Sequence, residues 1–141
     1  MNTKRIGNIG EIKAMCKFIE LGIPVYTPFG DNEKSDLIAD FNGKLNRIQV
    51  KTSQKAEDGK MDFRTDSSMS SSRRGENTVH YYTADEVDYF VFYNIERDVI
   101  FLVPFEDVGV RNFTIRYELP KNNQRTGIHM EEDYLFEKII K

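Results

Sequence analysis

An aspartate, a glutamine and a lysine within one stretch, Ser35 to Ser53 (SDLIADFNGKLNRIQVKTS), are the side chains of this sequence best spaced to act together. At the centre of the stretch, Asn42-Gly43 suits a two-residue type I′ hairpin, because that turn needs positive φ at both positions. A tight turn there gives opposed residues numbers adding to 85, so Phe41 faces Lys44 and Asp36 faces Gln49. Opposed Cβ atoms of an antiparallel pair lie about 5 Å apart, close enough for two side-chain oxygens to hold one metal ion. Lys51 follows Gln49 by two positions and points to the same side. Leu37, Ala39, Phe41, Ile48 and Val50 alternate with them and define the opposite, buried face. A plainer reading of the same residues is a solvated strand face on which Asp36 and Lys51 form a cross-strand ion pair.

The element ahead of the hairpin is expected to be a helix from Asn8 to about Gly22, with Ile9, Ile12, Cys16 and Ile19 in one buried stripe and Gly22 as its stop. Cys16, the only cysteine, then reads as a small buried hydrophobe, and a lone cysteine excludes an intrachain disulfide and a thiolate zinc site. Glu11 starts a neighbouring row through Met15 and Phe18, which sets its carboxylate beside the buried face. Asn8 and Glu11 also fit a capping box, in which Glu11 bonds the first turn of its own helix.

Ile23 to Pro28 reads as a short strand near a sheet edge because of its prolines, and Phe29 to Lys34 as a polar loop. From Ser53 to Asn77 the chain is polar and of low complexity, with a possible strand at Met61 to Thr65 and a loop around Ser67 to Ser72. Disorder is one reading of that region; phosphate contact by Lys55, Lys60, Arg64, Arg73 and Arg74 is the other. Thr83 to Val87 suggests one helical turn. Tyr89 to Asn94 and Val99 to Val103 are nearly continuous apolar runs, as strands buried on both faces are, so their aromatic residues belong to the core rather than to base stacking. Asn112 to Leu119 alternates as a further strand, and Glu131 to Ile140 reads as a closing helix. Between them, Lys121, Asn123, Gln124 and Arg125 sit in an ordinary solvated loop whose residue types nevertheless match those that pair with adenine and guanine edges. His80 and His129 have no neighbouring ligand at useful spacing.

A chain of 141 residues suits one domain with a real core, residues 1–141. No apolar run approaches membrane-spanning length, and Met1 to Ile12 is too polar for a signal peptide, so no membrane partner and a cytoplasmic location are expected. The net charge of −3 argues mildly against nucleic acid. Its distribution argues back: residues 1–74 carry 13 Lys and Arg against 10 Asp and Glu (+3), whereas 75–141 carry 7 against 13 (−6). The basic half holds the hairpin.

Asp36, then Gln49-Val50-Lys51, after a helix bearing Glu11, resembles the PD-(D/E)XK nuclease signature, with Ser35-Asp36 for Pro-Asp and Gln49 for the usual acid. The runs NTKRIGNIGEIKA, GIPVYTPFGDNEKSDLIADFNGK and IQVKTS are similar to those of the group I intron-encoded homing endonucleases of that superfamily. The likeness is close over about the first 53 residues and looser through VDYFVFY and IFLVPFEDV. It implies an α/β (α+β) fold with a restriction-endonuclease-like core, a central mixed sheet flanked by helices. It also implies Asp36, Gln49 and Glu11 as ligands of Mg²⁺, for which Mn²⁺ substitutes, and Lys51 as the group that orients or deprotonates water. The implied substrate is double-stranded DNA. One small domain cuts one strand, so a homodimer or homotetramer is expected. A type II restriction enzyme or Holliday junction resolvase of the same fold is the alternative, and the Gln49 substitution keeps a non-cleaving DNA-binding module in play.

Overall fold

The computed structural model describes residues 1–30, 35–70 and 77–141. Helix α1 runs over Thr3–Glu20, earlier than the pattern predicts, because Asn2 is its N-cap and the Asn2 Oδ1 accepts a hydrogen bond from the Arg5 backbone N–H at 2.9 Å. Asn8 therefore lies exposed in mid-helix and the capping-box reading of Glu11 falls away. The buried stripe also differs from the predicted one: Ile6, Gly10, Ala14 and Phe18 face the core, while Ile12 and Ile19 are more than 60% exposed (62% and 63%) and Cys16 is exposed. Small residues decide this. A Cβ at Gly10 would sit 1.9 Å from Thr52 Oγ1, so the helix approaches the sheet on the one face that carries no bulk there. Cys16 instead donates to the Glu20 carboxylate.

After α1 come β1 (Val25–Tyr26), β2 (Leu37–Phe41), β3 (Lys44–Ser53), β4 (Lys60–Arg64), β5 (Asp66–Ser70), β6 (Asn77–Tyr81), β7 (Tyr89–Asn94), β8 (Val99–Pro104) and β9 (Asn112–Arg116). Among the described residues, β1-β2-β3-β7-β8 form one five-stranded sheet, mixed because β3 and β7 pair in parallel and the rest antiparallel. Asn42 and Gly43 have φ of 53° and 74°, the type I′ turn expected, and the pairs Leu37↔Ile48 through Phe41↔Lys44 keep the predicted register. The strand at 23–28 shrinks to the edge strand β1. The loop read around Ser67 to Ser72 is in large part strand, since β5 pairs antiparallel with β6. Arg73 and Arg74, like part of the 29–34 loop, lie outside the described residues.

Two cores separate on the two faces of the sheet. Ala14 and Phe18 of α1 pack with Leu37, Ala39, Phe41, Ile48, Val50, Val91 and Leu102 on one face. On the other, Phe90, Phe92, Phe101 and Val103 meet Met61, Phe63, Phe113 and Ile115, the inward residues of a two-stranded antiparallel ribbon formed by β4 and β9. Phe92 stacks between Phe63 (4.7 Å between centroids) and Phe113 (5.6 Å), so the aromatic residues of β7 and β8 are core as expected. The closing helix is a 3-10 turn, Glu131–Tyr134, and a short helix α2, Phe136–Ile139, broken at extended Leu135. The break lets Tyr134 enter the ribbon core while Phe136 enters the α1 core.

Candidate active site

Asp36 stands just before β2. Its backbone N–H donates to the Ile48 carbonyl at 2.9 Å, extending the ladder by one bond beyond the strand. Its side chain then reaches past the strand end, where Oδ2 accepts the Val50 N–H at 2.9 Å. An amide that β2 is too short to satisfy thereby fixes the carboxylate against the strand that carries Gln49 and Lys51. Burial raises the Asp36 carboxyl pKa, and the Val50 N–H and the Lys51 charge only partly offset it.

Glu11 and Asp36 line one cleft of about 410 Å³ with Asn8, Met15 and Ser35. Burial raises the Glu11 pKa, and the Asp36 charge raises it further. A buried carboxylate whose charge a second carboxylate disfavours is one that a bound cation would relieve. Gln49 is 8% exposed and follows Ile48, whose carbonyl takes the Asp36 N–H, on the face of β3 turned away from the α1 core. Among the described residues no three His, Cys, Asp or Glu side chains gather as a cage, and the carboxylates that line the cleft are these two. Oxygen donors of this kind suit hard ions such as Mg²⁺ or Mn²⁺. The residues fit such a group.

Lys51 lies across the strand from the α1 core. Its Nζ donates to the Asp66 carbonyl at 2.7 Å and stands 5.3 Å from the Tyr82 ring centroid. Burial lowers its pKa, with Asp36 and Asp66 opposing. Asp36 is thus felt by both Glu11 and Lys51, and these three predicted residues are brought together. Asp66 was not foreseen, because it lies in a polar run that reads as loop. It is 7% exposed, its carbonyl holds Lys51, and its carboxylate takes the Arg64 Nη2 at 2.8 Å.

The predicted DNA-contact residues scatter more widely. Lys55 is exposed just past the end of β3, Lys60 and Arg64 point outward from β4, and Lys121, Asn123, Gln124 and Arg125 are exposed between β9 and the 3-10 turn. Gln124 spends part of its amide locally, donating from Nε2 to the Thr126 carbonyl at 2.9 Å.

A family model described as PD-(D/E)XK endonuclease matches residues 1–137. Solved structures similar to this chain include a bacterial homing endonuclease, I-Ssp6803I, at 25% identity and a TM-score of 0.71, covering 95% of this chain and 88% of that one. No curated protein matches the chain at a significant level.

Proposed function

The chain belongs to the PD-(D/E)XK endonuclease family, which makes it a nuclease with DNA as substrate, and we propose that it is a divalent-metal-dependent, site-specific homing endonuclease that cuts double-stranded DNA. Nucleases of this family generally use divalent metals. The observation that carries the finer reading is the cleft that Glu11 and Asp36 line together, with the Asp36 carboxylate bonded to the strand that bears Lys51. The homing character is supported by the structural similarity to a bacterial homing endonuclease.

Phosphodiester hydrolysis needs a positioned water, stabilisation of charge developing at phosphorus, and help for the leaving oxygen. A bound Mg²⁺ or Mn²⁺ supplies much of each when held by Asp36, Glu11 and the Gln49 carbonyl. Asp36 keeps Oδ1 for this purpose, since Oδ2 is committed to the Val50 N–H. Lys51 contributes the second charge. Its Nζ, anchored on the Asp66 carbonyl, orients a water for in-line attack and stabilises the phosphorane oxygens, and its lowered pKa makes proton exchange with that water easier. Cutting both strands takes at least two copies of the chain, in a homodimer or homotetramer.

Gln49 favours one second reading. With a neutral amide where the family signature has an acid, the site has one negative charge fewer, as in a DNA-binding module that does not cleave. The decisive experiment is linearisation of a plasmid carrying the natural insertion site, with gel-shift binding run beside it. Wild-type cutting that Asp36→Asn abolishes supports the nuclease; binding with no cutting under any divalent ion leaves the binding module.

A further inference from the structure

The ribbon of β4 and β9 has one face committed to the core and an outward face on which, among the described residues, no other strand or helix packs. Met61, Phe63, Phe113 and Ile115 point inward, and the outward positions pair across the strands as Lys60↔Arg116, Asp62↔Thr114 and Arg64↔Asn112. This face carries three cations and one carboxylate in a chain of net charge −3. We propose that this ribbon lies in the major groove of double-stranded DNA and reads base edges there, so that the ribbon, rather than the 121–125 loop, sets target specificity; the proposal rests on the nuclease reading above.

Shape argues first. The major groove of B-DNA admits a two-stranded β-ribbon, whereas the minor groove is too narrow for one. Outward side chains on a strand recur about every 7 Å, close to the separation of two base-pair steps, so successive cross-strand pairs meet alternate base pairs.

Chemistry argues next. Asn112 is exposed and offers the donor and acceptor that complement N7 and N6 of adenine in the major groove, Asp62 is of a type that accepts from a cytosine amino group, and Arg64, 69% exposed although Asp66 holds its Nε and Nη2, is of the type that reads guanine. Thr114 donates its hydroxyl to Asp62, which holds that carboxylate in one orientation. Arg116 is likewise fixed by the Glu118 carbonyl at 2.9 Å and the Asp58 carbonyl at 3.3 Å. Stacking of Phe63 and Phe113 on Phe92 makes the platform rigid, which base reading needs.

Connectivity argues last. β4 runs through Thr65 into Asp66, whose carboxylate binds Arg64 and whose carbonyl binds Lys51. A duplex seated on the ribbon is therefore linked, through one residue, to the ammonium beside the scissile site.

The test is selection from a pool of duplexes with a randomised centre, retained on wild-type protein in Ca²⁺ buffer, then repeated with Asp62→Ala, Asn112→Ala and Lys60→Ala. All three positions are exposed or half-exposed on the ribbon's outer side, and circular dichroism verifies folding. Wild type should enrich a defined motif, and guanine N7 methylation within it should block retention. Asp62→Ala and Asn112→Ala should each relax preference roughly tenfold at one or two adjacent positions, the two sets about two base pairs apart. Lys60→Ala should weaken all sequences alike and reduce the salt slope by about one. A motif unchanged by Asp62→Ala and Asn112→Ala, or one flattened instead by Asn123→Ala with Gln124→Ala, overturns the ribbon assignment and leaves the nuclease standing. Wild type that retains no duplex and cuts none overturns both.

Discussion

The Asp36 carboxylate and the Val50 backbone N–H are joined at 2.9 Å, and through that bond the residue before β2 is locked to the strand bearing Gln49 and Lys51. The relationship exists because β2 ends at Leu37 while β3 continues to Ser53, which exposes an amide for a side chain to claim. A sheet edge left one residue short has become the seat of the acid.

Asp36→Asn keeps an acceptor oxygen for Val50 and removes a charge that burial already disfavours, so it should fold normally. Lys51→Ala, which leaves every proposed metal ligand in place, should also fold and bind DNA. Both should lower plasmid cleavage by orders of magnitude, because each group acts chiefly at the transition state. Ile48→Asp, at a position with no exposure, is the control and should lose its circular dichroism signal, as it buries an unpaired charge. Cleavage that survives both Asp36→Asn and Lys51→Ala would sink the site.

Metal dependence is checked on the same plasmid. Mg²⁺ and Mn²⁺ should each restore activity to protein stripped with EDTA, and Ca²⁺ should support binding without turnover. Undiminished cutting in EDTA would remove the ion from the mechanism.

Gly10→Ala should destabilise the protein by about 1–3 kcal/mol, because a Cβ there meets Thr52 Oγ1 at 1.9 Å. Thr52→Ala should recover part of that loss and cost little by itself, for Thr52 Oγ1 is buried with no hydrogen-bond partner among the described residues. Urea denaturation of the two single variants and the double variant measures the coupling. Additive effects would mean that α1 and β3 do not meet at this point.

Asp88 ties β7 to the hairpin: Arg47 donates to its carboxylate from the backbone N–H at 2.8 Å and from Nε and Nη2, each at 3.0 Å, and Lys44 Nζ adds a fourth contact. Burial pushes this carboxyl up, but those bonds outweigh it and hold it well below the usual carboxylate range. A folded-state pKa depressed below the unfolded one gives stability that is complete above the unfolded value and disappears as pH falls through the folded value. Asp88→Asn should therefore cost about 2 kcal/mol at neutral pH and much less in strong acid, read from urea midpoints across pH. An equal loss at every pH would show that the charge is not what matters.

How much of this was legible in the residues follows from where each decision is made. The hairpin was readable because Asn42-Gly43 fixes both turn and register locally, and the faces of β2 and β3 follow from alternation. The helix was misread in phase, since Ile9, Ile12, Cys16 and Ile19 look like a core stripe, and only the sheet's demand for close approach at Gly10 reveals which face turns inward. Glu11 enters the proposed site by resemblance, while spacing alone points to a cap that Asn2 supplies. β5 was invisible because Asp66 to Ser70 lacks apolar alternation and is held by pairing with β6, so the Asp66 anchor of Lys51 could not be anticipated.

The parallel pairing of β3 with β7 has a kinetic consequence. Ile48 must find Tyr89, and Lys60 must find Arg116, across long intervening chain, so the β3–β7 pairing and the ribbon are non-local, whereas β2–β3 and β7–β8 are hairpins. Loop closure has to precede the contacts that reward it, which gives a slow-folding topology, in the range of roughly milliseconds to seconds. The Asn42-Gly43 hairpin, the β7–β8 hairpin and α1 form from local contacts. Substitutions in the Asn42-Gly43 hairpin should slow folding, whereas those in the β4-β9 ribbon, whose strands meet late, should mainly hasten unfolding.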